Sequence, residues 1–387
     1  MSARITAQTE MPHAGYEEVV LLTGFPAFSA RKMCEEILTR PGTLVHAIVR
    51  EKLAPDAAAA LDMLPLEQRR RVNLIEGDAA WMDLGLSGAE FRTLAREVDI
   101  IHHCARVSYL GADRATVEHM NVGGAREILE LAEACTNLKS LVFHSTASVS
   151  GDRTGLIRED ELDKGQRFRN VVEETSARGE RMMRAAMKKI PIAVVRPSIV
   201  VGDSTSGEVD RFDGPYLLIL LLLTAPAEVS LPLPGRGDEL LHLVPADYVA
   251  RAAHAIGRDS RSAGRTFHLV DPAPISVRKA FELFARAGGR RTPRGFIPAK
   301  VTKALLRTPG IDLFAKSPRA FLETLGTPVS YSSATTDTIL AGTNIVCPPL
   351  ESYVDKLVSF VQDRMKEKRA RAEREADDPL ARNAPRG

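Results

Sequence analysis

The sequence has few cysteines, few aromatic residues and almost no surplus of either charge. Among its 387 residues are four widely spaced cysteines with no C-x-x-C pair, which argues against a disulfide framework and indicates free thiols in a reducing, cytoplasmic setting. Lysine and arginine together number 52 and aspartate and glutamate 50, so the charge balance gives no reason to expect nucleic acid as a partner.

Long hydrophobic runs are missing as well. The longest lies within residues 216–223 and is far shorter than the ~20 residues that a membrane-spanning helix needs, so no span is predicted. Because this run is apolar all round, we expect a buried core helix, with a pocket wall or lid and a membrane contact as alternatives. The first 15 residues lack the apolar core of a signal peptide and are expected to be disordered.

What the sequence does contain is a regular alternation of short apolar strands and helical segments between residues 16 and 202. This pattern predicts an α/β fold with a doubly wound parallel sheet of the Rossmann type. The predicted strands are 19–22, 44–49, 72–75, 98–101, 140–143 and 192–195. The predicted helices include 56–71, 88–97, 113–136 and 170–188.

After residue 202 the alternation loosens. Residues 203–350 are expected to form a smaller C-terminal substrate-binding lobe, interleaved with the final Rossmann elements. Residues 351–387 should form a C-terminal helix and a charged tail. Beyond Met365 the chain carries charges without an apolar stripe, so this tail is expected to be frayed and solvated.

The first strand leads into a turn that could hold a pyrophosphate. Thr23-Gly24 ends the strand, and a helix follows from about Phe28, so backbone N–H groups and a helix N-terminus would face the phosphates. In the pattern T-G-x-x-G-x-x-G, Ala27 and Ala30 replace the second and third glycines. Ala27 adds a methyl group at the point of phosphate approach, and an ordinary βα turn is the alternative.

The ends of the next three strands carry further candidate cofactor residues. Arg50 and Lys52 follow the second strand, where a base suits the 2′-phosphate of NADP; a solvated strand end is the alternative. Asp78 follows the third strand and could accept a hydrogen bond from an adenine amino group. Cys104 and Ala105 follow the fourth, and their small side chains would let a cofactor lie close to the strand tips.

Two adjacent histidines precede Cys104, and they invite a metal interpretation. Neighbours on a strand point to opposite faces, so His102 and His103 cannot both ligate a metal ion from one side. No metal site is predicted.

Taken together, these stretches resemble an extended short-chain dehydrogenase/reductase over about residues 17–350. The similarity is to the branch that contains thioester reductase domains, carboxylic acid reductase terminal domains and fatty acyl-CoA reductases. It rests on Thr23-Gly24, LGLS at 84–87, VDIIHHCA at 98–105, Asn121-Val122, His144-Ser145-Thr146, RPSIVVGDS at 196–204 and LVPADYVA at 243–250.

The resemblance implies use of NADP(H), or of NAD(H) as the alternative. It adds Asn121, Pro197 and Ser198 to the candidate cofactor residues. It also implies a small-molecule or acyl-thioester ligand. No carrier domain is recognised in this sequence, so a thioester would come from a free carrier protein.

The family's chemistry uses a serine or threonine, a tyrosine and a lysine. Thr146 matches the hydroxyl position. In the pattern N-x-Y-E-x-[ST]-K at the start of the helix near residue 170, Val172 stands at the tyrosine and Ser176 at the lysine. A shifted alignment does not help, because the six tyrosines are at positions 16, 109, 216, 248, 331 and 353.

Two functions follow from these substitutions. The first is a protein that binds NADP(H) or an acyl ligand, or acts as a scaffold, with little or no reductase activity, and with no cofactor if the site is eroded. The second is a working NADP(H)-dependent reductase of an acyl thioester, aldehyde or ketone, whose proton donor is non-standard. Tyr109 is the first candidate for that donor, and His144 and Glu173 are the next.

Overall fold

The computed structural model describes residues 15–109, 111–226, 228–234, 237–297 and 328–377. Its centre is a seven-stranded sheet in which every neighbouring pair is parallel. The strands are β1 (Glu18–Thr23), β2 (Thr43–Val49), β3 (Val72–Glu76), β4 (Ile100–His103), β5 (Ser140–His144), β6 (Ile192–Pro197) and β7 (Arg265–Leu269), in the order β7-β6-β5-β4-β1-β2-β3. The order reverses beside β1, as in the doubly wound dinucleotide-binding fold, so the predicted fold class is confirmed.

Helices follow many of the strands, and several of them cover the two faces of the sheet. The helices are α1 (Phe28–Ile37), α2 (Ala54–Asp62), α3 (Leu66–Arg69), α4 (Gly88–Glu97), α5 (Arg114–Glu118), α6 (Gly124–Ala134), α7 (Val171–Ala186), α8 (Tyr216–Thr224), α9 (Ala246–Arg258), α10 (Val277–Ala287), α11 (Ala334–Leu340) and α12 (Val354–Asp377). Short pairs of strands join Gly155–Ile157 to Val329–Tyr331, Ile199–Val201 to Leu243–Pro245, Leu233–Pro234 to Phe296–Ile297, and Leu240–Leu241 to Ile275–Ser276.

Successive side chains of a strand point to opposite faces of the sheet and pack into two separate hydrophobic cores. Val20 and Leu22 belong to the core that includes residues of α1 and α9, whereas Val19 and Leu21 belong to the core that includes residues of α4, α6 and α7. All four side chains are at most 2% exposed. A strand buried on both faces has to be apolar at every position, which explains why β1 is a continuous run rather than an alternation.

The chain divides into two compact units. The first contains residues 1–200, 242–274 and 327–347, and therefore the whole central sheet. The second contains residues 201–241, 275–326 and 348–387. The expected boundaries at 202 and 350 stay predictions, and the expected disorder of residues 1–14 lies outside the described residues.

Two helices of the first unit are shorter than predicted. The segment 56–71 is divided into α2 and α3 at Pro65, which lacks an N–H for a helical hydrogen bond. The segment 113–136 is α5, a π-helical turn over His119–Gly123, and α6. The π turn contains Asn121, whose buried side chain accepts a hydrogen bond from the Val107 N–H.

In the second unit, α8 packs with α10 and α12. Each side chain from Tyr216 to Leu223 is at most 6% exposed, which confirms the core helix. None of the helices in the described residues is both long enough and apolar enough to cross a membrane.

The prediction of a frayed tail beyond Met365 is wrong as far as Asp377. Helix α12 continues to that residue, and its polar part is supported by exposed pairs three residues apart, such as Lys366 with Asp363 at 3.1 Å. The side chains from Lys366 to Ala370 are exposed, as expected of a solvated segment.

Candidate cofactor and active site

The turn after β1 is drawn tightly against the end of β4. The Thr23 hydroxyl accepts a hydrogen bond from the Ala105 N–H at 3.1 Å and lies 3.0 Å from Nδ1 of His103. Gly24 has φ of +90°, and a Cβ there would lie 2.8 Å from the carbonyl carbon of Cys104. Only glycine allows this approach, so the two strand ends meet at a point that a larger residue would block.

Helix α1 begins directly after this turn with no side-chain cap on its N-terminus. Ala27, the residue before Phe28, is exposed and has φ of −58° and ψ of 149°, so its backbone does not require glycine. Its N–H donates to the Gly24 carbonyl at 3.0 Å, while Phe28 packs into the core. Uncapped N–H groups at a helix start are a suitable site for a phosphate, and the turn fits a dinucleotide in this respect.

The ends of β2 and β3 present the predicted polar side chains. Arg50 is half-buried and Lys52 exposed, and within the described residues neither forms an ion pair. One carboxylate oxygen of Asp78 accepts a hydrogen bond from the Ala80 N–H at 3.1 Å, and the Asp78 N–H donates to the Leu84 carbonyl at 2.8 Å. The end of β2 therefore carries two positive charges, one half-buried and one exposed.

Asn121 holds the loop after β4 against α7. Its Oδ1 accepts from the Val107 N–H at 2.8 Å, and its Nδ2 donates to the Val107 carbonyl at 3.1 Å and to Oγ1 of Thr175 at 3.0 Å. The amide is thus engaged with protein groups, and the structure gives it a positioning contact. Tyr109 lies two residues farther along this loop and is half-buried.

The hydroxyl groups at the ends of β5 and β6 differ in their contacts. Oγ1 of Thr146 accepts from the Ser148 N–H at 3.2 Å and lies 2.9 Å from the Ser148 hydroxyl, so it caps the short helix Ala147–Ser150. Ser198 follows Pro197, the last residue of β6, and its buried hydroxyl has no hydrogen-bond partner within the described residues.

Helix α7 carries the next group of predicted residues. Asn170 caps it by accepting the Glu173 N–H at 3.0 Å. Val172 and Ser176 lie four residues apart on one face and are each 6% exposed. Glu173 is 3% exposed and pairs with Arg169 at 2.9 Å, so its carboxylate is already engaged.

Ser176 lines a small cavity at the tips of β4 and β5. The cavity offers about 10 Å³ to the centre of a water-sized molecule, enough for about one water. Of the residues predicted for the site, Ser176, Ala105 and Asn121 line this cavity, whereas Thr146 and Val172 are not among its lining residues. The lining includes Ser176, Ala105, Arg106, Asn121, His144 and Ser145.

Arg106 is a site residue that the sequence reasoning missed. Its guanidinium donates to the Ser145 carbonyl at 2.5 Å, and its buried Nε has no hydrogen-bond partner within the described residues. Burial lowers the pKa of Arg106 to about 10. The signal was available, because an arginine directly after the apolar strand and Cys104-Ala105 is unexpected at a buried sheet edge.

A second overlooked group is Glu180, one turn after Ser176. It is fully buried and accepts hydrogen bonds from the Ser145 hydroxyl at 2.7 Å, from Arg184 at 2.8 Å and from Arg196 at 2.6 Å. Burial alone would raise the pKa of this carboxyl, but the charge and hydrogen bonds of Arg196 outweigh burial and hold the pKa below its usual range. Glu180 therefore anchors α7 to β5 and β6.

The two adjacent histidines point to opposite faces, as their alternation on β4 predicted. His103 stacks on Phe143 with ring centroids 5.7 Å apart. On the other face, Nδ1 of His102 lies 3.3 Å from Nε2 of His144, and the His254 ring lies 5.8 Å from His102. Within the described residues no group of three potential ligands is arranged to hold a metal ion.

Burial keeps these rings neutral. Burial lowers the pKa of His144 to about 3 and that of His254 to about 4, and the pKa of His102 is lowered for the same reason. A neutral His144 with so low a pKa is a poor proton donor near pH 7.

Acid should therefore destabilise the fold, with His254 as one measurable contributor. The unfolded chain protonates this histidine near pH 6.5 and the folded chain near pH 4. Between these values the unfolded state binds more protons, so the free energy of unfolding falls as pH falls, by up to ~1.4 kcal/mol per pH unit for one histidine. Above pH 6.5 this contribution is constant.

Urea unfolding at pH 7.5, 6.0 and 5.0 measures this slope. The variant His254→Leu should show a shallower slope by about one proton, whereas His119→Gln, which alters an exposed histidine, should leave it unchanged. Equal slopes for His254→Leu and the unmodified protein would mean that His254 is protonated in the folded state as readily as in the unfolded one.

With this geometry in place, the family is established. Residues 22–253 match the NAD-binding family NAD_binding_4, described as male sterility protein. This match covers more than half of the chain, so the chain belongs to that family. The predicted membership of the extended short-chain dehydrogenases/reductases, in the branch resembling thioester and fatty acyl-CoA reductases, is confirmed.

Individual relatives agree with this assignment. The chain is 25% identical over 282 residues to a component of the linear gramicidin synthase of Brevibacillus parabrevis, covering 68% of this chain and 5% of that protein. It is 26% identical over 284 residues to the fatty acyl-CoA reductase wat of Drosophila melanogaster, covering 62% of this chain and 54% of that protein. The chain thus spans only part of these curated relatives.

Among solved structures, the terminal R domain of the myxalamid PKS-NRPS biosynthetic pathway superimposes with a TM-score of 0.73. The superposition covers 94% of this chain and 95% of that domain at 24% identity. At this identity the likeness establishes the fold.

Proposed function

We propose that this protein is an atypical NADP(H)-binding member of its family with little or no reductase activity. The observation that carries the proposal is the position of Ser176 in the cavity at the tips of β4 and β5. The family resemblance assigns a lysine to that position and a tyrosine to Val172, one turn earlier on the same face of α7. The chain has neither group there.

The chemistry supports a large loss of activity. Valine neither donates nor accepts a proton, and serine carries no charge that could lower the pKa of a neighbouring phenol. A positioned general acid typically contributes about 10²–10⁴-fold to a rate. Thr146 retains the family's hydroxyl group, but the tyrosine expected at position 172 and the lysine expected at position 176 are missing.

The residues present would still hold a dinucleotide. The turn at Gly24 and the start of α1 would bind its pyrophosphate, Arg50 and Lys52 a 2′-phosphate, and Asp78 the adenine. When bound, the cofactor would supply a hydride donor. NADP(H) is favoured over NAD(H) because both cations lie at the end of β2 without an ion pair in the described part of the chain.

The ligand proposed for the site is a small molecule or an acyl thioester, delivered by a separate carrier protein. A solved relative described as a thiolation-reductase di-domain, 17% identical with a TM-score of 0.70, supports a carrier as partner. The four free cysteines of the described chain support a cytoplasmic location.

A working reductase is the second candidate. The observation in its favour is Tyr109, which lies on the loop that Asn121 fastens to α7. A rate of NADPH oxidation typical of reductases that disappears in Tyr109→Phe would establish this alternative.

Cofactor preference provides the direct test of binding. Calorimetric titration should give a dissociation constant for NADPH at least about tenfold below that for NADH, because charge-assisted hydrogen bonds contribute ~1.5–3 kcal/mol. Arg50→Ala should narrow this gap. The matched control Arg70→Ala alters an exposed arginine that pairs with Glu67, and should leave the gap unchanged.

A further variant separates binding of the pyrophosphate from recognition of the 2′-phosphate on the ribose. Ala27→Gly removes a methyl group at the point where the pyrophosphate would approach. Because NADPH and NADH share the pyrophosphate, the affinity for both should rise by the same factor. Equal affinities of the unmodified protein for the two cofactors would contradict the proposed preference, and no binding of either would contradict the proposed function.

A further inference from the structure

Arg106 is a cation that lines the cavity of the candidate site. Within the described residues it forms no ion pair: one guanidinium nitrogen bonds to the Ser145 carbonyl, and Nε has no partner. The hydroxyl of the same Ser145 donates a hydrogen bond to the carboxylate of Glu180. Glu180 is already bound by Arg184 and Arg196.

The neighbours of the guanidinium do not compensate its charge. His103 and His144 line the same cavity, and burial lowers the pKa of His103 to about 4 and of His144 to about 3, so both are neutral near pH 7. Arg106 is half-buried, and its Nε is buried without a partner within the described residues, so the fold gains nothing from this charge in the absence of a ligand. A bound anion would provide that partner.

The cavity itself limits what the anion can be. It has room for about one water, and hence for one carboxylate oxygen, beside the guanidinium. The Arg106 Nε–H, which has no partner within the described residues, can donate to this oxygen, and the Ser176 hydroxyl, which lines the same cavity, can donate a second hydrogen bond. A lysine at position 176 would instead put a second cation into the same space.

We propose that Arg106 binds the carboxylate of a small organic acid in the cavity that it shares with Ser176. The inference deepens the proposed function and rests on it, because it names the ligand class of the same site. The ligand is then a carboxylic acid and not a thioester or aldehyde substrate for reduction. Such an acid is the product of thioester hydrolysis or of aldehyde oxidation. The acid is bound and is not transformed.

The test compares acids with uncharged molecules of the same shape. Acetate, butyrate and octanoate, and the amides of equal chain length, are titrated at constant ionic strength while the melting temperature and the calorimetric heat are followed. The unmodified protein should bind at least one carboxylate at least tenfold more tightly than its amide. Equal binding of every acid and its amide would overturn the proposal, as would stabilisation by chloride equal to that by the carboxylates.

Three variants connect this preference to Arg106. Arg106→Met should abolish the preference for acids, and without ligand it should melt no lower than the unmodified protein, because it removes a charged group whose buried Nε has no partner within the described residues. Arg106→Lys keeps the positive charge but removes the Nε–H donor, so it should retain the preference for acids with weaker binding, and it serves as the test if Arg106→Met does not fold. Arg178→Met, at a partly exposed arginine of α7 that pairs with Glu118, should bind as the unmodified protein does.

A preference for acids that persists in Arg106→Met would overturn the assignment to Arg106. The proposed function fails separately. Binding of NADPH with no preference for carboxylates would overturn only the acid site. A preference for carboxylates that depends on Arg106, in a protein that binds neither NADPH nor NADH, would overturn only the dinucleotide function.

Discussion

The double substitution Val172→Tyr and Ser176→Lys should produce NADPH oxidation with aldehydes or acyl thioesters that exceeds the product of the two single gains. The two positions lie one turn apart on α7, so a phenol and an ammonium group would be neighbours. Tyr without the lysine keeps a pKa near 10, and lysine without the tyrosine has no proton to direct. A gain of about 10²-fold is expected for the pair.

Arg106 makes this experiment more specific. It lines the same cavity as Ser176, so a lysine introduced at 176 meets a guanidinium, and the repulsion opposes the ammonium form. Adding Arg106→Ala should therefore raise the rate of the double variant further. Absorbance at 340 nm in steady-state assays measures each rate.

The matched control moves the phenol around the helix. Val171→Tyr with Ser176→Lys places the same two groups on the chain, but the tyrosine is displaced by about 100° and should give no cooperative gain. The interpretation of a missing pair fails if the unmodified protein already has an ordinary reductase rate. It fails equally if no folded combination gains activity.

Removal of Glu180 should have the largest effect on stability. Glu180→Ala leaves Arg196, which is 1% exposed, without its carboxylate, and breaking a buried pair in this way costs about 3–5 kcal/mol. Urea unfolding followed by circular dichroism measures the loss. The matched substitution Glu174→Ala, on the same helix, removes a partly exposed carboxylate that pairs with Arg114 and should cost at most ~1 kcal/mol.

A second arm tests whether the loss comes from the stranded charge. Glu180→Leu combined with Arg196→Met replaces both partners by apolar groups, and should be more stable than Glu180→Ala alone. If Glu180→Ala unfolds at the same urea concentration as Glu174→Ala, the anchoring role assigned to Glu180 is wrong.

The elements that sequence predicted well are those governed by local patterns. Continuous apolar runs marked the strands, and Thr23-Gly24 marked the turn because only glycine tolerates φ of +90° this close to Cys104. The burial of the run 216–223 followed from its lack of a polar face. In each case the signal lies in the residues of the element itself, even where the contact that requires it is with a distant residue, as for Gly24 and Cys104.

The elements that escaped prediction depend on distant partners. The π turn at His119–Gly123 contains Asn121, whose contacts are with Val107 and Thr175, 14 and 54 residues away. Glu180 is recognisable only once Ser145 and Arg196 are placed beside it. The helical extension beyond Met365 has no apolar stripe, and its visible support is a set of weak pairs such as Lys366 with Asp363.

The anchoring of α7 has a consequence for how such a protein can change over generations. Glu180 fixes the helix through Ser145, Arg184 and Arg196, and this anchor does not involve the side chain of Val172 or of Ser176. Substitutions at those two positions leave the anchor intact. Catalytic groups at these two positions can therefore be lost in evolution while the fold persists. Selection can then act on the remaining cavity for ligand binding alone.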